Sequence, residues 1–187
     1  MDQDRENEII RRVKGGDREA FSLLVEEYKA PVFNLAIQMT GRYEDADDLA
    51  QDTFLKAYVS LWFFEEGRRF FPWLYTIALN LIRNHLKRQR RFRQTDYRDF
   101  THIPDLAQGA EERIARHQEA AMMRSNLARL PLSLREAVLL RYGQGLTFEQ
   151  AADVLGISIG ATKMRVLRGL EQMRRLMEES SRAEGKQ

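Results

Sequence analysis

The segment that decides the fold runs from Leu146 to Met177 and reads LTFEQAADVLGISIGATKMRVLRGLEQMRRLM. Its first apolar residues recur at helical spacing and form a short face: Phe148, Ala151, Ala152 and Leu155. Gly156 can end that helix, and a second helix starts near Ser158 to Gly160. The pattern therefore predicts a helix, a short turn and a second helix.

The second helix of this pair has two different sides. One side suits a core and carries Thr162, Val166, Gly169, Leu170 and Met173. The other side carries Ala161, Met164, Arg165 and Arg168, with Lys163 beside them. A helix-turn-helix places such a helix in the DNA major groove, with early residues at base edges and basic residues on phosphates. A plain helical hairpin with a solvated basic face is the alternative.

A second cationic segment, RNHLKRQRRFR, runs from Arg83 to Arg93 and contains no acidic residue. It lies at the end of a long helix that we expect to begin at Pro72, a favoured first-turn position. The apolar side chains that this helix should bury are Leu74, Ile77, Ala78, Leu81 and Ile82.

Aromatic residues precede that helix in LWFFEEGRRFFPWLY, from Leu61 to Tyr75, around a loop that contains Gly67. Aromatic faces beside a positive groove suit single-stranded nucleic acid, because bases stack on rings while cations follow the backbone. We expect at least half of the rings to fill the core instead.

An earlier helix carries two contrasting faces between Glu44 and Leu61. Its apolar stripe consists of Ala46, Leu49, Ala50, Thr53, Phe54, Ala57, Tyr58 and Leu61. Opposite this stripe lie Glu44, Asp48, Gln51, Asp52 and Leu55. The acidic face would repel DNA, so it is either a docking surface for a basic protein or a solvated surface.

The remaining patterns predict an all-α protein of two small helical domains joined by a flexible linker. Residues 20–39 are helical with a break at Pro31, and the polar run after Arg93 indicates a linker before helix returns near Glu111. Capping-box spacing joins Ser133 to Glu136 and Thr147 to Gln150. We place the domains at 1–94 and 120–179, the linker at 95–119, and a disordered tail at 180–187.

Composition excludes several classes of function. The chain has 187 residues, a formal net charge of +2 and no cysteine, so we expect no disulfide and no thiolate metal site. His85, His102 and His117 lack metal-site spacing, and we expect neither a metal nor a cofactor. The start, MDQDRENEII, does not have the pattern of a secretory signal, so we expect a cytoplasmic protein without membrane insertion. No catalytic constellation is evident, so we expect no enzyme.

Four blocks of the sequence together carry a resemblance to a known family. They are GDREAFSLLVEEY, DADDLAQDTFLKAY, FFPWLYTIALNLIRNHLKRQRR and LPLSLREAVLLRYGQGLTFEQAADVLGISIGATKMRVLRGL, in the family's order and spacing. The chain resembles the extracytoplasmic-function group of bacterial RNA polymerase sigma factors. The resemblance covers nearly everything from Val13 to Leu176 and implies promoter-specific transcription initiation.

The resemblance also implies three contact surfaces. Contacts with the melted minus-10 element would be made by Phe63, Phe64, Arg68, Arg69, Phe70, Trp73, Asn80, Arg83, Asn84, Lys87, Arg88 and Arg91. Contacts with the minus-35 duplex would be made by Arg141, Ser158, Gly160, Ala161, Lys163, Met164, Arg165 and Arg168. The clamp helices of the largest subunit of core RNA polymerase would be bound by Asp45, Asp48, Leu49, Gln51, Asp52 and Leu55. An anti-sigma factor is implied as a further partner.

Two other functions remain open from the residues alone. A one-component helix-turn-helix regulator would bind palindromic duplex tightly without polymerase. A helical adaptor that binds no DNA would leave both basic segments as solvated surface and would show interactions insensitive to salt. The aromatic loop argues against the regulator, since a duplex binder alone does not need it.

Overall fold

A computed structural model describes residues 1–65, 67–92 and 122–184. In these ranges the chain forms helices and no strand. The helices are α1 (Gln3–Lys14), α2 (Phe21–Thr40), α3 (Tyr43–Ser60), α4 (Phe70–Phe92), α5 (over residues 122–129), α6 (Leu132–Val138), α7 (Phe148–Leu155) and α8 (Ile159–Glu184). They form two compact units, one built on α1 to α4 and the other on α5 to α8. The predicted all-α class with two helical units is therefore confirmed.

Two segments of the predicted organisation fall elsewhere. The linker at 95–119 and the helical start near Glu111 lie outside the described residues. Within the tail predicted at 180–187, α8 continues to Glu184 and residues 185–187 lie outside the described part, so the disordered tail stays a prediction. The exact domain boundaries stay a prediction.

The core of the first unit is formed by the apolar faces of all four helices. The predicted stripe of α3 is buried from Ala46 to Leu61, except that Tyr58 is half-buried. On α4, Leu74, Ala78 and Ile82 are buried as predicted, whereas Ile77 and Leu81 are half-buried. The buried face of α4 is completed by Tyr75, Leu79 and Leu86.

The predicted break at Pro31 is wrong, because α2 runs without interruption from Phe21 to Thr40. A proline inside a helix costs about 3 kcal/mol. Tyr28, Val32 and Leu35 are buried on either side of it, and each large apolar side chain that leaves water contributes about 1.5–3 kcal/mol. Packing therefore outweighs the hydrogen bond that Pro31 cannot donate.

The helix-turn-helix of the second unit forms as predicted. Thr147 and Gln150 make a complete capping box at the start of α7, and Gly156 ends that helix with φ 67°. Such a left-handed residue is a common helix terminator and favours glycine. Ser158 Oγ then accepts a hydrogen bond from Ala161 N at 3.2 Å and opens α8.

The other predicted capping box, Ser133 with Glu136, is wrong. Pro131 occupies the cap position of α6 and makes no side-chain hydrogen bond there. The helix begins at Leu132, so Ser133 already lies inside its first turn. A residue inside the turn cannot serve as the cap.

Two features fix how α6 and α8 pack. A Cβ atom added to Gly169 would stand 2.5 Å from Val138 Cγ2, so the helices meet where only glycine fits. After α6 the chain widens into a π-helical turn, Leu139–Gly143, closed by a hydrogen bond from Gln144 N to Leu139 O at 2.9 Å. Turns of this kind hold one extra residue and are frequent at functional sites.

Within the ranges described, no helix combines the length and the apolar character needed to cross a bilayer.

Candidate nucleic-acid interface

One face of α4 is polar and cationic along its C-terminal half. Residues three and four apart share a helix face, and this face carries the exposed Asn80, Asn84, Lys87, Arg88 and Arg91 together with the half-buried Arg83. No acidic residue occurs anywhere in α4. The structure therefore brings these six predicted minus-10 residues together on one positive surface.

The aromatic residues assigned to the minus-10 site divide between core and surface. Phe63 is 87% exposed and Trp73 is half-buried. Phe64 and Phe70 are buried, and their ring centroids lie 5.1 and 5.5 Å from that of Trp73. A direct contact of Phe64 or Phe70 with a base is corrected accordingly, since each ring would have to leave the core. Both rings instead pack against the Trp73 ring and support it from the core.

The loop of residues 64–70, which runs from the 3₁₀ turn Leu61–Phe63 to the first residue of α4, presents its cations to solvent. Arg68 and Arg69 are both exposed. Arg68 Nε lies 2.7 Å from Glu65 Oε2, but both side chains are 69% exposed. An ion pair this exposed is worth about 0–1 kcal/mol. It therefore leaves Arg68 free to exchange its partner for a phosphate.

The backbone of this loop is held by α1. Lys14 Nζ donates to Phe64 O at 2.8 Å, and Gln3 Nε2 donates to Gly67 O at 3.0 Å. At the start of α4, Phe70 N donates to Glu6 Oε2 at 3.3 Å. Sequence reasoning missed all three contacts, because no periodicity links residues 50 or more positions apart.

Glu6 is a buried carboxylate, and the Tyr28 hydroxyl donates a hydrogen bond to it. Burial, with the hydrogen bond to Glu6, raises the pKa of Tyr28 above its ordinary value, so its hydroxyl keeps the proton at neutral pH. Both carboxylate oxygens of Glu6 therefore accept a hydrogen bond, one from Tyr28 and the other from Phe70 N. Phe70 N is the first amide of α4, where the positive end of the helix dipole favours an anion.

The acidic face of α3 is exposed and continues into an apolar edge. Asp48, Gln51 and Asp52 lie at the surface, and Leu55 is 65% exposed. The same face continues through Val59 and Trp62, which are 71% and 66% exposed and which the sequence reasoning missed. The spacing from Leu55 to Val59 and from Val59 to Trp62, four and then three residues, places them on one helix face and could have predicted this edge.

Two residues assigned to the polymerase surface lie elsewhere. Leu49 is buried in the α3 stripe, as its place in the apolar pattern predicts, so its assignment to the polymerase-binding surface is corrected. Asp45 is turned toward α4, where its carboxylate accepts a hydrogen bond from Gln89 at 2.9 Å and lies 3.4 Å from His85 Nε2. The outward surface therefore consists of Asp48, Gln51, Asp52 and Leu55, extended by Val59 and Trp62.

The outward side of α8 carries most of the residues assigned to the minus-35 site. The exposed members are Ser158, Gly160, Ala161, Lys163, Met164 and Arg168, and Arg165 is half-buried. Leu167, half exposed on the same helix, was not anticipated. Leu170, placed on the core side by periodicity, is more than a third exposed.

Arg141, in the π-helical turn, contacts the first residue of α7. Its Cζ atom lies 5.2 Å from the Phe148 ring and 5.4 Å from the Tyr142 ring, and Nη1 donates to Leu146 O at 3.3 Å. Lys163 Nζ lies 5.6 Å from the same Phe148 ring. Both contacts are within cation–π range. The Phe148 ring is therefore in contact with two cations, Arg141 from the turn and Lys163 from α8.

Among the residues that the structure covers, no three His, Asp or Glu side chains are grouped to hold a metal ion.

Comparison with known proteins agrees with this geometry. The Sigma-70 region 2 family model matches residues 24–92, and the Sigma-70 region 4 model matches residues 121–173. The RNA polymerase sigma-H factor of Pseudomonas aeruginosa is 31% identical over 179 residues, covering 91% of this chain and 93% of the relative. The ECF RNA polymerase sigma-E factor of Haemophilus influenzae is 30% identical over 174 residues, covering 88% and 91%.

Two solved structures share the fold. A sigma factor RpoE in complex with the anti-sigma factor NepR, from Bartonella quintana, matches with a TM-score of 0.72 and 25% identity, over 84% of this chain and 96% of that chain. CnrH in complex with the cytosolic domain of CnrY matches with a TM-score of 0.71 and 26% identity, over 95% and 99%.

The two matched regions and the curated relatives define an RNA polymerase sigma factor, and the chain belongs to the ECF group of that family. Its function is to direct transcription initiation as an alternative sigma factor. Members of the family are initiation factors rather than enzymes.

Proposed function

We propose that the two units divide promoter recognition between unpaired and paired DNA. The first unit captures the melted minus-10 strand with the cationic face of α4 and with the loop before it. The second unit reads the minus-35 element as duplex with α8. Both are attached to core RNA polymerase through the outward face of α3, from Asp48 to Trp62.

The observation that carries this proposal is the separation of charge between α3 and α4. The face of α4 from Asn80 to Arg91 has exposed cations and no carboxylate, and Phe63 presents a ring that is almost fully exposed. Strand capture needs such a combination of ring and cation. The α3 face instead presents Asp48 and Asp52 beside Leu55, which suits a basic protein surface and repels phosphate.

The energetics make melting dependent on polymerase. Opening a duplex costs on average about 1.4 kcal/mol per base step, so five steps cost about 7 kcal/mol. Stacking one captured base returns about 1–3 kcal/mol. One or two captured bases therefore cannot offset the cost of opening the duplex. We therefore expect the free protein to bind promoter duplex weakly and to open it only with core polymerase.

An anti-sigma factor is proposed as the regulator. Two of the solved sigma factors that share this fold are in complexes, one of them with a protein named an anti-sigma factor. The exposed apolar edge of Leu55, Val59 and Trp62 offers a surface for such a protein, and covering it would also block the polymerase-facing side. We place the protein in the cytoplasm, where polymerase acts, and assign it no catalytic activity of its own.

Reconstitution with core polymerase tests the proposal. The chain is mixed with core enzyme and a pool of templates whose promoter region is randomised, and transcript starts are sequenced. The expected result is a shared minus-10 and minus-35 pattern upstream of the starts, seen only when the chain is present. Initiation without such a pattern, or permanganate-reactive thymines produced by the free protein, would contradict the division of labour.

A further inference from the structure

One side of α1 meets the loop of residues 64–70 at its beginning, middle and end. The contacts are Lys14 to Phe64 O, Gln3 to Gly67 O, and Glu6 to Phe70 N, at 2.8, 3.0 and 3.3 Å. Positions 3, 6 and 14 lie within one sector of a helix of 3.6 residues per turn. A single helix therefore holds the backbone at Phe64, Gly67 and Phe70.

Every one of these contacts is made to loop backbone, not to a loop side chain. The side chains of Arg68 and Arg69 are left exposed beside Phe63. Gly67 adopts φ 88°, a conformation that other residues rarely take, so the turn favours glycine at that point. The helix α1 therefore holds the backbone at Phe64 and Gly67, while the side chains of Arg68 and Arg69 remain accessible to solvent.

Glu6 makes the contact at the end of the loop, with Phe70 N. Its side chain is buried, and a buried carboxylate needs hydrogen bonds to offset the loss of water. Tyr28 and the Phe70 amide supply them. Because Phe70 is also the first residue of α4, the contact fixes the loop and the start of the cationic helix together.

We propose that Gln3, Glu6 and Lys14 are positioning residues, which hold the loop in the conformation that captures an unpaired DNA strand. The inference rests on the proposed strand capture by the first unit. None of the three contacts the strand; they act through the loop backbone. A loop that is ordered before binding loses less conformational entropy when the strand arrives, and so binds it more tightly.

Lys14→Met tests the inference against Arg11→Met. Both variants remove one cation from α1, but Arg11 is exposed and contacts only the helix's own backbone at Asn7 O among the hydrogen bonds found in the described chain. The probe is a fluorescein-labelled 12-nucleotide single strand, enriched from a randomised pool by the wild-type full chain. We expect Lys14→Met to bind it about fivefold more weakly than Arg11→Met, the equivalent of one hydrogen bond. Binding to a randomised duplex should be equal for the two.

Two further variants guard against a folding artefact. Gln3→Ala removes a solvent-exposed contact and should weaken strand binding about twofold to threefold. Glu6→Gln keeps an acceptor for Phe70 N and an amide that can donate to Tyr28, so it should bind like the wild type. Tryptophan fluorescence melts confirm that each variant is folded, since Trp62 and Trp73 both lie in the first unit.

The outcomes separate the two proposals. Equal strand affinity of Lys14→Met, Gln3→Ala and Arg11→Met overturns the positioning inference and leaves strand capture intact. Equal weakening on single strand and duplex also overturns it, because that pattern reflects charge alone. Failure of the wild-type chain to enrich any strand removes strand capture and the inference together.

Discussion

The Asp45 carboxylate on α3 accepts a hydrogen bond from Gln89 Nε2 on α4 at 2.9 Å. His85, one turn before Gln89, lies 3.4 Å from the same oxygen. This cluster joins α3, which has the acidic outward face, to α4, which has the cationic face. Asp45 therefore contributes to how those two helices are fixed.

Asp45→Ala should destabilise the first unit, because it leaves the partly buried Gln89 amide without this acceptor. The expected loss is about 1 kcal/mol in the free energy of unfolding. Tryptophan fluorescence during urea unfolding measures it. Asp48→Ala, which removes an exposed carboxylate one turn along α3, is the matched control and should leave the midpoint unchanged. Equal midpoints for the two variants would show that the cluster contributes nothing.

Gly169→Ala should destabilise the second unit selectively. The added Cβ would stand 2.5 Å from Val138 Cγ2, so α6 and α8 must move apart. Overpacking of this kind costs about 1–3 kcal/mol. Far-UV circular dichroism should show an earlier transition, while the tryptophan transition of the first unit stays in place. Gly160→Ala, where an added Cβ meets nothing within 4 Å, should leave the transition unchanged or later.

Lys163→Ala should lower the salt dependence of duplex binding. Each phosphate contact contributes about 0.9 to the slope of log affinity against log salt, so the slope should fall by that amount. Arg174→Ala removes the same charge from the same helix, about 16 Å further along its axis, where the Arg174 side chain pairs with Glu178 at 3.1 Å. Its slope should match the wild type. A wild-type slope for Lys163→Ala would remove Lys163 from the phosphate contacts.

Leu55→Asp should weaken association with core polymerase. Leu55 is 65% exposed between carboxylates and an apolar edge, so the substitution adds charge to the surface without disturbing the core. A central apolar contact in an interface is worth about 2 kcal/mol, which corresponds to about a 30-fold weaker Kd. Surface plasmon resonance on immobilised core enzyme measures it. Leu23→Asp, on the exposed side of α2, should bind like the wild type.

Local patterns predicted the helices and several of their ends. The capping box at Thr147 and the terminator Gly156 formed as expected, because each depends on residues within one turn of chain. Predictions that needed tertiary information did worse. Pro31 fails to break α2 because packing from other helices outweighs its local preference. Ser133 fails as a cap because Pro131 starts the helix earlier.

The candidate site shows the same division. The family resemblance named Asn80, Arg83, Asn84, Lys87, Arg88 and Arg91 together, and they share one face of α4, since a face is a property of one helix. The resemblance could not tell which rings face outward: Phe64 and Phe70 are buried, while Phe63 between Trp62 and Phe64 is exposed. The contacts of α1 with the loop were equally invisible, because they join residues far apart in the chain.

The π-helical turn at Leu139–Gly143 makes chain length at that point a determinant of where the Arg141 side chain lies. Removing one residue of the turn before Arg141 would bring Arg141 one position nearer to α6 and so turn its side chain by about 100° around that helix's axis. Arg141 would then swing off the Phe148 ring that it now shares with Lys163. A deletion that changes no other residue would thus remove one of the two cations from the Phe148 ring.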